Sequence, residues 1–310
     1  MASQPPVISV VIPHLNQPEG LDACLASLAC QTIDHEMFEV IVVDNGSVVA
    51  PDLVAARYRR TRVLREPTPG PGPARNLGVR AATGDMVAFI DADCRADPQW
   101  LAVAYRSLCS QPAGTILGGD VRIWREHDRG MTAIEAYESV FAYLQKRYIE
   151  QHGFSGTGNL AMRRGDFDRV GPFAGIEFAE DIQWGQKARA AGCRFLYVPD
   201  MIIFHPARKS LRELCVKWDR HLQHYVNEAR SRRGWQLRWL GRAAAVLISP
   251  LADWLKAFSS RRIHGLSARL KAVLVLIAIR SYRAWRMVML LGEPKAVTWN
   301  RDTKKMPAAE

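Results

Sequence analysis

The sequence lacks the patterns of a secreted, disulfide-stapled or membrane-spanning protein. Its six cysteines are scattered, with none at C-x-x-C spacing, so neither a disulfide framework nor a zinc site is indicated. No apolar run reaches the ~18 uninterrupted residues of a spanning helix. The first apolar run, Val7 to Ile12, is too short for the core of a signal peptide and is followed by Pro13. These absences predict reduced thiols and a cytoplasmic chain.

Acidic residues are scarce in the C-terminal third. The net charge is +11, but residues 206–310 hold 22 Lys and Arg against 7 Asp and Glu, a balance of +15, which leaves −4 for residues 1–205. This asymmetry predicts a separate functional region at the C-terminus. No DNA- or RNA-binding motif accompanies the charge, which argues against a nucleic-acid surface.

The basic region has the pattern of amphipathic helices. Ala243 to Leu255 is mostly apolar around Pro250, and a helix over Leu266 to Leu291 would place Arg280 and Arg283 on one side, together with Arg269. Six of the nine tryptophans lie here: Trp218, Trp235, Trp239, Trp254, Trp285 and Trp299. Tryptophans, basic residues and apolar faces together indicate helices lying on an anionic membrane surface. The alternative is a helical subdomain packed on the core, with a solvated basic face.

Two β-branched runs near the N-terminus predict a parallel sheet. Val7 to Ile12 and Glu39 to Val43 have the composition of strands buried on both faces, and helical spacing of apolar residues predicts a helix over about 18–31 between them. Such a connection is a right-handed crossover. Parallel sheets bind ligands at the carboxyl ends of their strands, where Asn16 and Asp44 fall.

A third buried strand, Met86 to Ile90, leads directly into Asp91 and Asp93. On an extended backbone the side chains at i and i+2 share a face, so this pair predicts a cation site, although a solvated strand end can carry the same motif. Upstream, the Pro- and Gly-rich stretch Glu66 to Pro73 is predicted to be irregular and to precede a helix over Ala74 to Ala82.

In this order and spacing, the segments resemble family 2 glycosyltransferases. The matching segments are Ile8 to Pro13 with Asn16, Val42 to Ser47, Ala74 to Gly78, Phe89 to Asp93, Gly156 to Arg163 and Phe178 to Trp184. The resemblance covers about residues 6–205, with no family signature between Asp93 and Gly156. It implies an α/β GT-A domain over residues 1–208, which is Rossmann-like with a mostly parallel sheet and flanking helices. A basic helical region, membrane-associated, then occupies residues 209–310.

The resemblance also implies a reaction. An inverting glycosyltransferase would move a sugar from a nucleoside-diphosphate donor to a hydroxyl of a saccharide or lipid-linked acceptor, in the synthesis of cell-surface glycans or glycolipids. Mg²⁺ or Mn²⁺ would neutralise the leaving diphosphate, and a base would accept the hydroxyl proton. The enzyme would be peripheral at the inner face of the cell membrane.

Residue roles follow from the same resemblance. Asp93 would ligate the metal, with His205 as a further ligand, and Asp181 would be the catalytic base. The donor would contact Pro13, Asn16, Asp44, Arg75 and Asp91, and the acceptor side would contain Asn159, Glu180 and Trp184.

Plainer alternatives exist for several of these residues. His205 could simply be hydrogen-bonded at a strand end, and Trp184 could be a core residue. Asp181 lies at the predicted start of a helix that runs to Ala191, where the helix dipole is expected to keep a carboxylate charged. Glu180 and Asp181 could serve only to complement that dipole.

Two other functions compete with glycosyl transfer. A nucleotidyltransferase would also bind nucleotides at strand ends, but its Gly-rich loop with a basic residue is missing after Ile12. A catalytically silent scaffold that binds nucleotide sugars or lipids would not need Asp91, Asp93 and Asp181 together. A turnover assay separates these functions.

Overall fold

The computed structural model describes residues 6–125, 130–176 and 179–293. Phe178, the first residue of the matching segment Phe178 to Trp184, and Trp299 lie outside the described residues. The chain divides into two compact units. Among the described residues, the first unit contains residues 6–122 and Tyr143–His205, and the second contains Ile123–Ala142 and the chain from Pro206 onward. Residues 123–125 and 130–142 therefore belong to the same unit as the C-terminal helices.

A mixed sheet organises the first unit. In the described part of the chain it has eight strands in the order β3-β2-β1-β4-β7-β6-β8-β5. The strands are β1 Ile8–His14, β2 Phe38–Asp44, β3 Thr61–Arg65, β4 Met86–Ile90, β5 Arg95–Ala96, β6 Thr115–Trp124, β7 Asn159–Arg163 and β8 Arg194–Pro206. β1 to β4 run parallel, whereas β7 is antiparallel to β4 and β6. Two clusters of buried apolar side chains form the core of this unit.

Helices connect the strands and continue through the second unit. They are α1 Pro18–Ala29, α2 Asp52–Ala55, α3 Pro71–Ala81, α4 Trp100–Ser110, α5 Ala133–Phe141, α6 Gln145–Arg147, α7 Arg164–Val170, α8 Glu180–Ala190, α9 Leu211–Ala229, α10 Trp235–Ile248, α11 Pro250–Ser259 and α12 Leu266–Met289. A short 3₁₀ helix spans His35–Met37 and a π-helical turn spans Tyr148–His152. The α/β architecture with flanking helices and additional C-terminal helices, predicted from the sequence, is confirmed.

The first strand continues past the point where the sequence predicts its end. β1 contains Pro13 and reaches His14, which lies in register with Asp44. The pairing of β1 with β4 stops at Val11, so Pro13 lies where β1 is paired on only one side. A strand tolerates the missing N–H of proline at such a position. The extension brings a histidine to the edge where the parallel strands end.

The helix before β4 begins three residues earlier than predicted. α3 starts at Pro71, so the prediction that the chain is irregular up to Pro73 is wrong for its last three residues. Proline suits the first turn of a helix, because the N–H groups there have no intrahelical acceptor. Gly72 is required by space, since an added Cβ would lie 2.0 Å from the backbone oxygen of Ala174. This early start carries Arg75 into the interior.

The predicted apolar run around Pro250 is two helices. α10 ends at Ile248, and Pro250 is the first residue of α11, where its missing N–H costs no intrahelical hydrogen bond. Within the described residues, none of the helices combines the length and the hydropathy required to cross a bilayer.

The arginines of α12 lie on its buried side, so the solvated basic face that belonged to the packed-subdomain alternative is not found on this helix. Arg283 is buried with its guanidinium carbon 3.5 Å from the ring centroid of Trp218, and Arg280 pairs with Asp253 at 3.0 Å. Arg269 donates to the backbone oxygen of Phe258. Burial lowers the pKa of Arg283 to about 10, with a further contribution from the charge of Arg280.

The opposite side of α12 is exposed and apolar. Its exposed large side chains are Leu266, Leu270, Leu274, Ile277, Trp285, Val288 and Met289. At about 100° per residue, these positions fall on one side of the helix. Exposed leucines continue on α10 and α11, at Leu237, Leu240, Leu247, Leu251 and Leu255. Along α12 the arginines thus lie on the buried side, and the opposite side exposes a row of large apolar residues.

Candidate active site

The candidate site lies at the carboxyl ends of β1, β2 and β4. Because these strands are parallel, His14, Asp44 and Asp91 follow or end them at the same edge of the sheet. This is the edge where parallel sheets bind ligands. The predicted positions of Asn16, Asp44 and Asp91 at this edge are therefore reproduced by the structure.

His14 is a buried histidine that the sequence did not single out. Its Nδ1 lies 3.4 Å from Asp44 Oδ1 and 3.3 Å from the hydroxyl of Ser47, and its Nε2 accepts a hydrogen bond from the backbone of Gln17 at 3.3 Å. The backbone N–H of Ser47 also donates to Asp44 at 3.2 Å. These contacts hold the carboxylate of Asp44 at the end of β2. In the sequence, the feature that could have indicated His14 is its position directly after Pro13, at the predicted end of the first strand.

Asn16 joins the two loops at this edge. It has a positive φ of 54°, a conformation in which asparagine is among the favoured residues. Its side-chain oxygen accepts from the backbone of Val48 at 2.8 Å, and its own N–H donates to Ser47 Oγ at 2.9 Å. The geometry therefore gives Asn16 a role in fixing the loop after β1 against the loop after β2.

Arg75 is the central cation of the site. It is 3% exposed, and its Nη2 donates to Asp91 at 2.7 Å while Nη1 donates to Glu180 at 3.2 Å. Burial acts to lower the pKa of Arg75, but the charges of Asp91 and Glu180 outweigh it, so the pKa lies above its ordinary value. In the described part of the chain, its buried Nε has no hydrogen-bond partner. Arg75 therefore carries one unsatisfied buried donor inside the site.

Asp91 and Asp93 do not share a strand face, so that expectation is wrong. β4 ends at Ile90, and a turn closed by the N–H of Cys94 on the oxygen of Asp91 separates the two carboxylates. Asp91 pairs with Arg75, and an added Cβ on Gly158 would lie 2.4 Å from its Oδ2. The absence of a side chain at position 158 thus makes room for Asp91, whereas Asp93 is directed to a different partner.

That partner is His205, the penultimate residue of β8. Its Nε2 lies 3.5 Å from Asp93 Oδ2, and donor atoms of Asp93, Cys94 and His205 all lie within 4.8 Å of one another. The Cys94 thiol donates to Asp93 Oδ1 at 3.6 Å. The ring of Tyr143 lies 4.7 Å from that of His205, and Tyr143 has a strained φ of 51°. A carboxylate and an imidazole at this spacing fit a divalent metal, and Tyr143 orients the imidazole.

Asp181 lies in the first turn of α8, as predicted, but its ionisation behaves differently from the expectation. Burial, followed by the charge of Glu180, raises the pKa of Asp181 to about 6. The N–H of Ile182, which donates to its Oδ1 at 2.8 Å, and the charge of Arg75 act in the opposite direction and are outweighed. Desolvation therefore exceeds the stabilisation that a helix N-terminus offers to an anion.

Two residues predicted on the acceptor side are core residues in the structure. Asn159 is fully buried, accepts from Trp100 Nε1 at 2.8 Å and donates to the backbone oxygens of Asp120 and Met201 at 2.8 Å each. Trp184 is buried against Phe167 and Phe173 and donates to a backbone oxygen. Their positions do not support direct contact with an acceptor, because no polar atom or ring face is left exposed.

The architecture and the site together define a GT-A type α/β enzyme. Among solved structures, the mannosyltransferase PcManGT from Pyrobaculum calidifontis, in complex with GDP-Man and Mn²⁺, superposes with a TM-score of 0.58 at 19% identity over 94% of this chain and 88% of that chain. S. aureus TarS 1-349 in complex with UDP-GlcNAc superposes with a TM-score of 0.53 at 20% identity over 89% of this chain and 91% of that chain. At these identities the similarity establishes the fold.

The sequence comparisons establish the family. The family model described as "Glycosyl transferase family 2" matches residues 9–175, which is more than half of the chain. "Glycosyltransferase AglE" from Haloferax volcanii is 31% identical over 214 residues, covering 67% of this chain and 69% of AglE. The chain belongs to glycosyl transferase family 2 and is a glycosyltransferase, as the motifs predict.

Proposed function

We propose that this glycosyltransferase moves a sugar from a nucleoside-diphosphate donor to a hydroxyl acceptor with inversion of the anomeric configuration. The observation that carries the proposal is the convergence of Asp91 and Glu180 on Arg75, next to Asp181, at the edge where the parallel strands end. Solved structures of the same fold are described as complexes with GDP-Man and Mn²⁺ and with UDP-GlcNAc, which supports a nucleotide-sugar donor.

Donor binding involves the ends of β1 and β2. Asp44, held by His14 and Ser47, accepts hydrogen bonds from the nucleobase or ribose. Pro13 and Asn16 shape the adjoining loop. Arg75 holds Asp91 towards the ribose through its Nη2. These roles need no movement of the sheet.

Asp93 and His205 would hold the divalent metal. The metal, when bound, neutralises the diphosphate leaving group. Mg²⁺ strongly prefers oxygen ligands, whereas Mn²⁺ tolerates a mixed set of oxygen and nitrogen, so the imidazole favours Mn²⁺. The ring of Tyr143, tilted by 34° against that of His205, keeps the imidazole in place.

Asp181 accepts the proton of the acceptor hydroxyl. With a pKa of about 6 it is mostly ionised at pH 7, and it is a stronger base than an ordinary aspartate. A single base acting on an acceptor that attacks directly gives inversion. Glu180, which directly precedes Asp181, keeps Arg75 in position by accepting its hydrogen bond.

The experiment that tests the proposal is a turnover assay with UDP-, GDP- and dTDP-sugars, with Mn²⁺ or Mg²⁺, in the presence of a membrane lipid extract. We expect one donor to be consumed in a metal-dependent reaction. A catalytically silent scaffold would bind a donor without turnover, and a nucleotidyltransferase would release pyrophosphate rather than a nucleoside diphosphate.

Metal removal is expected to abolish transfer reversibly. EDTA should stop the reaction and Mn²⁺ should restore it, with Mg²⁺ less effective. His205→Ala and Asp93→Ala should each lower kcat/KM by at least ~100-fold, because the leaving diphosphate would lose its counter-charge. His264→Ala, at an exposed histidine of the second unit, is the control and should match the wild type. Full activity in EDTA would contradict the metal role.

The pH dependence of kcat/KM should report Asp181. Below pH 6 the rate should fall about tenfold per pH unit, because protonation removes the base; above pH 6 it should level off. The assay is run at saturating Mn²⁺ at every pH, so that occupancy of the metal site is constant. For Asp181→Asn, the residual kcat/KM should show no decrease as the pH falls through 6. An unchanged limb in that variant would assign the titration to another group.

In the same proposal, the second unit holds the enzyme at an anionic membrane surface. The exposed apolar stripe of α12 would lie at the interface, and basic side chains elsewhere in the unit would face anionic headgroups. This placement suits a lipid-linked acceptor of cell-surface glycan synthesis. Failure of the wild-type chain to co-float with anionic vesicles would remove this part of the proposal.

A further inference from the structure

A pair of stacked aromatic rings lies next to the loop that leads into β7. The ring centroids of Tyr148 and Phe154 are 5.3 Å apart, with an angle of 10° between the ring planes, and both side chains are half-buried. Tyr148 opens the π-helical turn Tyr148–His152, a rare element that is frequent at functional sites. In the described part of the chain, neither ring is among the buried clusters that form the core of the first unit. The core therefore does not account for this pair.

A glycine of α8 places Phe154 close to the candidate base. An added Cβ on Gly185 would lie 2.4 Å from the Cβ of Phe154, so the helix and the loop meet where no side chain fits. Gly185 follows Asp181 by four residues, which puts both on one face of α8. The Cα–Cβ bonds of a helix tilt towards its N-terminus. Phe154 therefore lies on the N-terminal side of Gly185, towards the turn that carries Asp181.

The other end of the same loop reaches the end of β4. Gly158 makes room for the carboxylate of Asp91, because a Cβ at this position would collide with Oδ2. Between the two contacts, Gln145 fixes the loop by accepting a hydrogen bond from the N–H of Gly156 at 3.0 Å. The loop thus lines the site from α8 to Asp91.

The strand order indicates which substrate meets the rings. In the order β2-β1-β4-β7, β7 lies on the side of β4 opposite to β1 and β2. The proposed contacts of the nucleobase and ribose are at the ends of β1 and β2, so the loop before β7 lies beyond Asp91 from that end of the donor. A substrate that reaches Asp181 from this side is the acceptor. The C–H groups on one face of a sugar ring form an apolar surface that packs on an aromatic ring.

From these observations we propose that Tyr148 and Phe154 form a platform on which a sugar ring of the acceptor stacks while its hydroxyl reaches Asp181. The inference rests on the proposed glycosyl transfer, and it specifies an acceptor whose reacting hydroxyl is carried by a sugar. It also assigns the aromatic contact of the acceptor to these two rings, since Trp184 is enclosed in the core.

Saturation-transfer difference NMR of the full chain tests the platform without turnover. The probes are methyl β-D-glucopyranoside, methyl β-D-galactopyranoside, methyl α-D-mannopyranoside and octyl β-D-glucopyranoside below its micelle concentration. Each is recorded with Mg²⁺, because paramagnetic Mn²⁺ would broaden the signals. Phe154→Leu keeps an apolar side chain but removes the ring, and Phe154→Tyr keeps the ring. The control Phe258→Leu changes a half-buried phenylalanine of the second unit.

We expect at least one glycoside to receive saturation mainly at the C–H groups of one ring face. The signal should fall at least ~5-fold in Phe154→Leu and be retained in Phe154→Tyr and in the control. Equal signals in the wild type and Phe154→Leu would overturn the platform, as would the absence of saturation in every glycoside. Saturation confined to the octyl chain would overturn the assignment to a sugar.

Steady-state kinetics with a glycoside that accepts the transferred sugar give the second arm. Phe154→Leu should raise KM for the acceptor by about 5–10-fold and change kcat by less than ~2-fold, because stacking stabilises the bound acceptor and the transition state equally. A fall in kcat at unchanged KM would contradict a stacking role. If no donor is turned over, glycosyl transfer itself fails, and the NMR arm still decides whether the platform binds sugars.

Discussion

Asp181→Asn should lower the rate of sugar transfer by about 10²–10⁴-fold, because the amide cannot accept the hydroxyl proton. Donor affinity should be retained, since the proposed donor contacts come from residues of β1, β2 and α3 and not from Asp181. The amide oxygen can still accept from the N–H of Ile182, so the first turn of α8 keeps its geometry. The comparison to make is single-turnover transfer against donor binding measured by calorimetry, in the same preparation.

The thermal stability of this variant gives an independent check. In the folded protein the pKa of Asp181 lies above its unfolded value, so ionisation at pH 7 opposes folding. This destabilisation is absent at low pH, where Asp181 is protonated in both the folded and the unfolded chain, and it grows as the pH rises to about 6. The Tm of Asp181→Asn should therefore exceed that of the wild type at pH 7 and approach it near pH 4. Loss of activity with a lowered Tm would indicate damage to the fold instead of a missing base.

Arg75→Met should destabilise the first unit by about 2–4 kcal/mol. Removing one member of a buried ion pair leaves its partners uncompensated, and here two carboxylates, on Asp91 and Glu180, lose their common cation. This cost is at or below the lower end of the range for broken buried ion pairs, because the side chain of Asp91 is 39% exposed and solvent screens its charge. The shift of the urea midpoint, followed by a signal from the first unit, measures the effect.

Two further variants separate this cause from a loss of packing. Arg57→Met breaks the exposed pair with Asp22 and should cost less than ~1 kcal/mol. Adding Asp91→Asn and Glu180→Gln to Arg75→Met should recover part of the lost stability, because the uncompensated charges disappear. If the triple variant is no more stable than Arg75→Met, the ion pairs are not the source of the effect.

Arg75→Met should also shift the acidic side of the pH profile of kcat/KM to higher pH, because the charge of Arg75 lowers the pKa of Asp181.

Local sequence patterns predicted the elements that carry the site. The β-branched runs that became β1 and β2 and the apolar run that became β4 are buried strands. These segments were readable because a strand buried on both faces needs a continuous apolar run, which few other structures require. The family motifs then placed Asp44, Asp91 and Asp181 at element ends.

Properties that depend on neighbours distant in sequence were not readable. The burial of Asn159 depends on Trp100 and on two backbone oxygens from other strands, and Trp184 is enclosed by two phenylalanines. The elevated pKa of Asp181 arises from burial and Glu180, which outweigh the local helix terminus. Periodicity placed the arginines of α12 on one side correctly but could not tell which side the rest of the unit covers.

The most direct test of the central claim is proton NMR of timed aliquots from one reaction that contains the active donor, Mn²⁺ and acceptor, with the paramagnetic Mn²⁺ removed from each aliquot by a chelating resin before the spectrum is recorded. It follows donor consumption and the anomeric configuration of the product in the same sample. We expect the anomeric signal of the donor to be replaced by a product signal of opposite configuration, at a rate that depends on Mn²⁺. A product with retained configuration would contradict single displacement assisted by Asp181, and an unconsumed donor panel would contradict glycosyl transfer from nucleotide sugars.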